Sequence, residues 1–376
     1  MPMQTSEYWA QRFAQLEAVQ HQDSVAYYNR VARLMEKVQA DVEKDLNAWF
    51  ARFAVDNQIS MSEAKKLLNS KELKEFKWTV EDYIEVAKKE NLSPQWEKAL
   101  ENASARYHIS RLEAIQLQVQ QKAEQLYGNY NDSIDDHMKG IYTEGYYHTA
   151  YEIQKGVGFG AKMVGIDEKT LEKVVTKPWA ADGFNFSERV WRSKSELIDN
   201  LNTVLVRSCV MGQSLDKSVT QLVELTNAFG DDFKKARSQA ARLIQTESAY
   251  FGSLSRQDCF NALDVEEYEI VATLDSRTSE ICQDMDGKHF AMSEYIAGTT
   301  APPFHVNCRT TTCPYFNDEY SQDDMRAARG TDGKTYLVPA NTTYEDWRKG
   351  FAGESADPEK AGFTTKPKIV ANISIF

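Results

Sequence analysis

No apolar run in this 376-residue chain approaches the roughly 20 residues that a transmembrane helix needs. The N-terminus, MPMQTSEYWAQRF, lacks the basic start and apolar core of a secretory signal. Basic charge is also short: Lys+Arg number 44 against Asp+Glu 56, a formal net charge of -12. Nucleic-acid phosphates need a basic footprint, so generic nucleic-acid binding is excluded and any DNA contact is local. The cysteines are few and odd in number, namely Cys209, Cys259, Cys282, Cys308 and Cys313. In a chain this long they do not form a disulfide scaffold, and they point to folding in a reducing cytoplasm. There is no repeat of roughly 20 to 50 residues. No Ser-His-Asp or Cys-His-Asn set has its supporting context, so no catalytic residue is assigned.

What the chain does have is helical patterning. Val31, Leu34, Met35, Val38, Val42, Leu46, Trp49 and Phe53 recur at steps of three and four within residues 7–56, which predicts one or two long amphipathic helices. Starts are readable further on: Ser60 to Glu63, Thr79 to Asp82, Ser93-Pro94, and a second S-x-x-E box at Ser110 to Glu113. The last opens a helix whose apolar stripe is Leu112, Ile115, Val119, Leu126 and Tyr130. The glycine run from Gly156 to Gly165 has no preceding strand and no following GK[ST], so it reads as a connection rather than a phosphate loop. Ser187 opens another long helix closed at Gly212. Ser214 caps the next, and Asp231 starts the helix that carries ARLIQTESAYFG.

After Asp264 the texture changes. Tyr268 to Leu274, Lys288 to Phe290 and Arg309 to Tyr315 read as strands around a short helix, SEICQDM, which follows the turn Asp275 to Thr278. Asp286-Gly287 is a tight turn. The fold class is therefore mainly α, with a long N-terminal helical region followed by a small α+β C-terminal domain. The expected segments are 1–176, helical; 177–262, a helical linker and core; 263–340, the small α+β domain; and 341–376, a tail.

Two side-chain clusters invite chemistry. Cys282, His305, Cys308 and Cys313 are soft ligand types that can hold zinc tetrahedrally. The pattern lacks a C-x-x-C pair, with Ser279 standing where a partner for Cys282 would be. Buried thiols without metal are common, and that plainer reading is favoured. Glu247, Asp275, Asp284 and Asp286 can form a carboxylate site. With Arg277 and Arg309 close in sequence, a structural ion-pair network is the favoured alternative. Arg309, if buried, has to be paired, and its planar fork can serve Glu247, Asp275 or both.

Together, LIQTES, ATLDSRTSEICQDMDGKHF and PPFHVNCRT resemble the C-terminal domain of the phage Mu F-like minor head proteins, also called head morphogenesis or minor capsid proteins. In that family a helix with T-E is followed by D-x-R-[ST] and a Cys, a D-G turn, and P-P-x-H-x-x-C-R. Thr246, Glu247, Asp275, Arg277, Thr278, Cys282, Asp286, Gly287, Pro302, Pro303, His305, Cys308 and Arg309 match these places. The resemblance covers about residues 240–316. Many members have a second Cys before the position of Cys282 and another directly after the Arg. Ser279 and Thr310 stand there in this chain, so the resemblance does not carry a zinc site over.

The resemblance implies a virion component of a tailed phage or prophage and not an enzyme. It would be virion-located, at the capsid interior or portal vertex, and in the host cytoplasm during assembly. Its implied partners are the portal protein and procapsid components, with packaged DNA touched through local contacts and no membrane anchor. The implied role is in head assembly, DNA packaging or DNA delivery. The alternative is a metal-dependent enzyme or toxin built on the Cys/His/Asp cluster, with zinc as its cofactor; the favoured reading needs none.

Overall fold

The computed structural model describes residues 5–53, 61–90, 92–157, 166–210, 218–316, 325–329 and 335–339. The Ser60 start, most of the glycine run after Gly156, the Gly212 and Ser214 signals and the 341–376 tail lie outside the described residues. The elements in chain order are α1 (Ser6–Phe53), α2 (Met61–Ala64), α3 (Ser70–Lys89), α4 (Pro94–Ala105), α5 (Arg111–Val157), α6 (Glu168–Thr176), α7 (Phe186–Val210) and α8 (Ser218–Ala262). They continue with β1 (Glu267–Val271), α9 (Glu280–Met285), β2 (His289–Ala291), a 3-10 turn at Met292–Glu294, β3 (Thr311–Tyr315), β4 (Met325–Arg329) and β5 (Thr335–Pro339). The fold is mainly α with a small sheet near the C-terminal end, as the patterning predicts. Among the described residues no helix is long and apolar enough to cross a membrane.

Contacts group the chain into two compact units that cut across the consecutive segments expected from sequence. One unit comprises Met1–Val25, Met138–Val175 and Ile244–Phe376; the other comprises Ala26–His137 and Thr176–Leu243. The reason is the length of α1, α5 and α8, at 48, 47 and 45 residues. A helix of that length outruns a single core, so each contributes to both units.

In the second unit the α1 stripe is buried at Val31, Met35, Val42, Leu46 and Trp49, and the α5 stripe at Leu112, Ile115, Val119, Leu126 and Tyr130. Helices α3 and α4 close a core of Phe76, Val80, Ala87, Leu92, Trp96 and Leu100. Capping decides where these helices start. Ser110 and Glu113 form the expected reciprocal box, Ser110 N to Glu113 Oε2 at 2.8 Å and Glu113 N to Ser110 Oγ at 3.2 Å. Ser93 accepts from Trp96 N at 3.3 Å with Pro94 in the first turn.

Three starts differ from the sequence reading. Helix α3 begins at Ser70, because Asn69 and Glu72 make a capping box; Thr79 lies inside it and bonds back to Glu75 O at 3.0 Å. The α7 cap is Asn185, reciprocated by Glu188 at 2.9 Å each way, and not Ser187. Asp231 starts nothing, since α8 runs through Gly230, anchored on either side by the buried Phe229 and Phe233. An interior glycine costs only about 1 kcal/mol, which such burial outweighs.

The first unit packs its share of α1, α5 and α8 with the small sheet. Trp9, Phe13, Ile153, Phe260, Tyr268, Ile270, Tyr295 and Cys313 belong to one buried core. Gly156 of α5 permits a close approach: a Cβ there would meet the ring of Trp9 at 2.2 Å. The sheet order is β2-β1-β3, all antiparallel, with Tyr268 opposite Phe290 and Pro314, and Val271 opposite Thr311. Alternation places Tyr268 and Ile270 of β1 in the core. The strand stops at Val271, short of the expected Leu274, because Ala272 N turns to the Asp286 carboxylate at 2.8 Å. Strands β4 and β5 form a separate antiparallel pair that periodicity did not reveal.

Candidate functional site

The matched motif residues converge around the C-terminal part of α8, the loop after β1, and the loop before β3, all within the first unit. After β1, Asp275 makes an Asx turn: its Oδ1 accepts from Arg277 N at 2.8 Å, and Thr278 Oγ1 accepts from Asp275 N at 2.9 Å. Thr278 Oγ1 also donates to Thr273 O at 2.6 Å. The next residue, Ser279, caps α9 by accepting from Cys282 N at 3.4 Å. Capping is thus the role of the serine that stands where a partner for Cys282 was sought. Asp286 ends α9, and Gly287 takes a positive φ of 73°, which glycine adopts without strain. Gly287 N then donates to Ile270 O at 2.9 Å, and β2 begins.

The second loop contains a cis Pro302-Pro303 bond followed by His305 to Cys308. Cys308 N donates to His305 O at 3.2 Å, and Asn307 sits at φ 59°, a conformation its side chain tolerates. Thr246 of α8 holds this loop by accepting from Asn307 N at 3.2 Å. Thr273 Oγ1 donates to Arg309 O at 2.8 Å. Each of these bonds ties a motif residue to backbone elsewhere in the motif.

Arg309 gives both terminal nitrogens to Asp275, Nη2 to Oδ1 at 2.7 Å and Nη1 to Oδ2, with side-chain exposures of 13% and 10%. This is the bidentate fork expected of a buried arginine–carboxylate pair. Burial alone would raise the Asp275 carboxyl; the Arg309 fork and the Arg277 N–H outweigh it and hold it below the ordinary carboxylate range. Arg277 stays at the rim, exposed and 3.9 Å from Asp275. Glu247 is buried on α8, adjacent to Thr246. The sequence left Arg309 a choice between Glu247 and Asp275, and the structure gives its fork to Asp275.

Of the four expected metal ligands, three come together. The donor atoms of Cys282, His305 and Cys308 all lie within 4.8 Å of one another. Cys282 Sγ is 3.1 Å from His305 Nε2 and 3.8 Å from Cys308 Sγ. Cys313 is not part of this trio: it lies on β3 in the hydrophobic core with Phe260 and Ile270. Hydrogen bonding from Cys282 brings the Cys308 thiol down to about 7 against its burial, with the Thr310 and Phe304 amides adding to the effect. Its hydrogen bond to Cys308, reinforced by burial, pushes Cys282 the other way.

Sequence reading missed a deeply buried pair of opposite charges in this unit. Arg256 of α8 is 2% exposed and donates from Nη2 to Glu17 of α1 at 3.1 Å. Its Nε has no hydrogen-bond partner among the described residues. Burial pushes the Glu17 carboxyl up to about 7, against the pull of Arg256 and Arg309. The signal was available, since Glu17 follows Phe13 by one turn and Arg256 precedes Phe260 by one turn. Each is a single charge interrupting an apolar helix face, and the two have opposite sign.

Residues 199–313 match the family model described as Phage Mu protein F like protein. The match runs from within α7 to β3 and contains every convergent residue above except Glu17 of α1. Over this stretch the chain is similar to the phage Mu F-like proteins, as the motif residues implied. No curated protein and no solved structure matches the chain.

Proposed function

We propose that this protein is a minor head protein of a tailed phage or prophage that works by assembly and not by turnover. In this reading it associates with the portal or the inner procapsid and assists head assembly, DNA packaging or DNA delivery. The match of residues 199–313 to the Mu F-like family carries the reading. The use made of the motif's polar groups supports it. Thr246 holds the Asn307 amide, Asp275 is forked by Arg309, and Asp286 accepts from Ala272 N. These groups brace the small sheet and its loops against α8, as a rigid docking element requires.

The reading as a metal-dependent enzyme or toxin has one observation in its favour, the Cys282, His305 and Cys308 trio. Co-expression of the full chain with the portal protein of the same phage or prophage, followed by affinity capture of the portal, tests the leading reading. Retention of this chain on the portal is the expected outcome. Failure to be retained both in co-expression and on isolated procapsids contradicts the portal and procapsid assignment.

A further inference from the structure

We propose that Cys282, Cys308 and His305 form a binding site for a soft divalent transition-metal ion, with zinc as the best chemical fit. Three independent features carry this. First, the spacing is that of a coordination polyhedron. Two thiolates at about 2.3 Å from a tetrahedral zinc stand about 3.8 Å apart, and Cys282 Sγ and Cys308 Sγ are 3.8 Å apart.

Second, the histidine is oriented for ligation. Its Nδ1 lies 2.8 Å from Val306 O, which can only accept, so Nδ1 carries the proton and Nε2 presents its lone pair. That lone pair faces Cys282 Sγ at 3.1 Å. A backbone carbonyl fixing the far nitrogen in this way is the usual outer support of a metal-bound imidazole.

Third, the ligands are on separately braced segments. Cys282 is in the first turn of α9, capped by Ser279. His305 and Cys308 flank a turn closed by Cys308 N to His305 O and held to α8 through Thr246. Without an ion, the trio places a thiol against a basic nitrogen and a second sulfur. With one, it staples α9 to the loop that carries Arg309. Two sulfurs and an imidazole select zinc over magnesium or calcium, which take oxygen ligands. On binding, each thiol releases its proton to solvent as its sulfur–metal bond forms, and no electron is transferred. The fourth tetrahedral position falls to a ligand from outside the trio. The proposal stands apart from the head-protein reading, because it concerns only these three side chains.

The test uses the full chain, purified reduced, stripped with a chelator and titrated with Co2+ and then Zn2+. The expected result is one Co2+ per chain with a sulfur-to-cobalt charge-transfer band that Zn2+ abolishes. Cys282→Ser and Cys308→Ser should lose the band, whereas Cys313→Ala should keep it. His305→Asn, at a part-exposed position, should weaken binding at least about tenfold with helical circular dichroism unchanged. If the serine variants fail to fold, His305→Asn decides, and wild-type affinity in that variant overturns the proposal. A wild-type chain that gives no charge-transfer band overturns it too. So does a band that survives in both folded serine variants, or a Cys282–Cys308 disulfide whose reduction restores no metal binding.

Discussion

Replacing Glu17 by alanine should destabilise the first unit by about 3–5 kcal/mol, the range for stranding one member of a buried ion pair. The expected effect is large because Arg256 is 2% exposed and a guanidinium cannot shed its proton to become neutral. Arg256→Met should behave differently. It leaves Glu17, whose carboxyl burial already holds at about 7, and that group can be buried protonated. The cost of Arg256→Met should therefore be smaller at pH 5 than at pH 8, while the cost of Glu17→Ala should be larger at pH 5 than at pH 8, because that substitution removes a contribution that is lost as pH rises through about 7.

The wild type carries a related slope. The folded value of Glu17 lies above its unfolded value of about 4.5, so its contribution is fully present below that value and is lost as pH rises through about 7. Thermal melting of the full chain and the variants at pH 5 and pH 8 reads all three effects. An Arg256→Met cost that does not depend on pH would show that Glu17 is not the titrating group.

The second large effect is expected at the Arg309–Asp275 fork. Asp275→Ala and Arg309→Ala should each cost about 3 kcal/mol, and the double variant should cost much less than their sum, because each single change already removes the same pair. Asp275 has its carboxyl held below the ordinary range, so its contribution is present above an unfolded value of about 3.9 and is lost as pH falls below it. Denaturant unfolding of the four proteins at neutral pH gives the coupling directly. Full additivity would mean that the fork seen here contributes nothing as a pair.

The helices were legible in the sequence because burial follows a period of three and four along α1 and α5, from Val31 to Trp49 and from Leu112 to Tyr130. Caps were legible where side chain and spacing agree, as at Ser93 and at Ser110 with Glu113. They were misplaced where a neighbour with a better partner wins, Asn69 over Thr79 and Asn185 over Ser187. The split into two units was not legible, because it depends on where long helices meet and not on any local breaker. Among the motif residues, convergence of Cys282, His305 and Cys308 follows from the turns on either side of each. Cys313 has the same residue type but lies on a strand whose five residues are all buried, and spacing alone could not separate it. The Glu17–Arg256 pair was overlooked because its members lie 239 residues apart, although each interrupts an apolar face.

The most direct measurement is mass spectrometry of purified particles produced by the genome that encodes this chain. The expected result is peptides from residues 199–313 in DNA-filled heads, at a few copies per portal vertex, and in procapsids isolated before packaging. Their absence from both particles, with portal and major capsid peptides abundant, would contradict the assignment of this protein to the phage head.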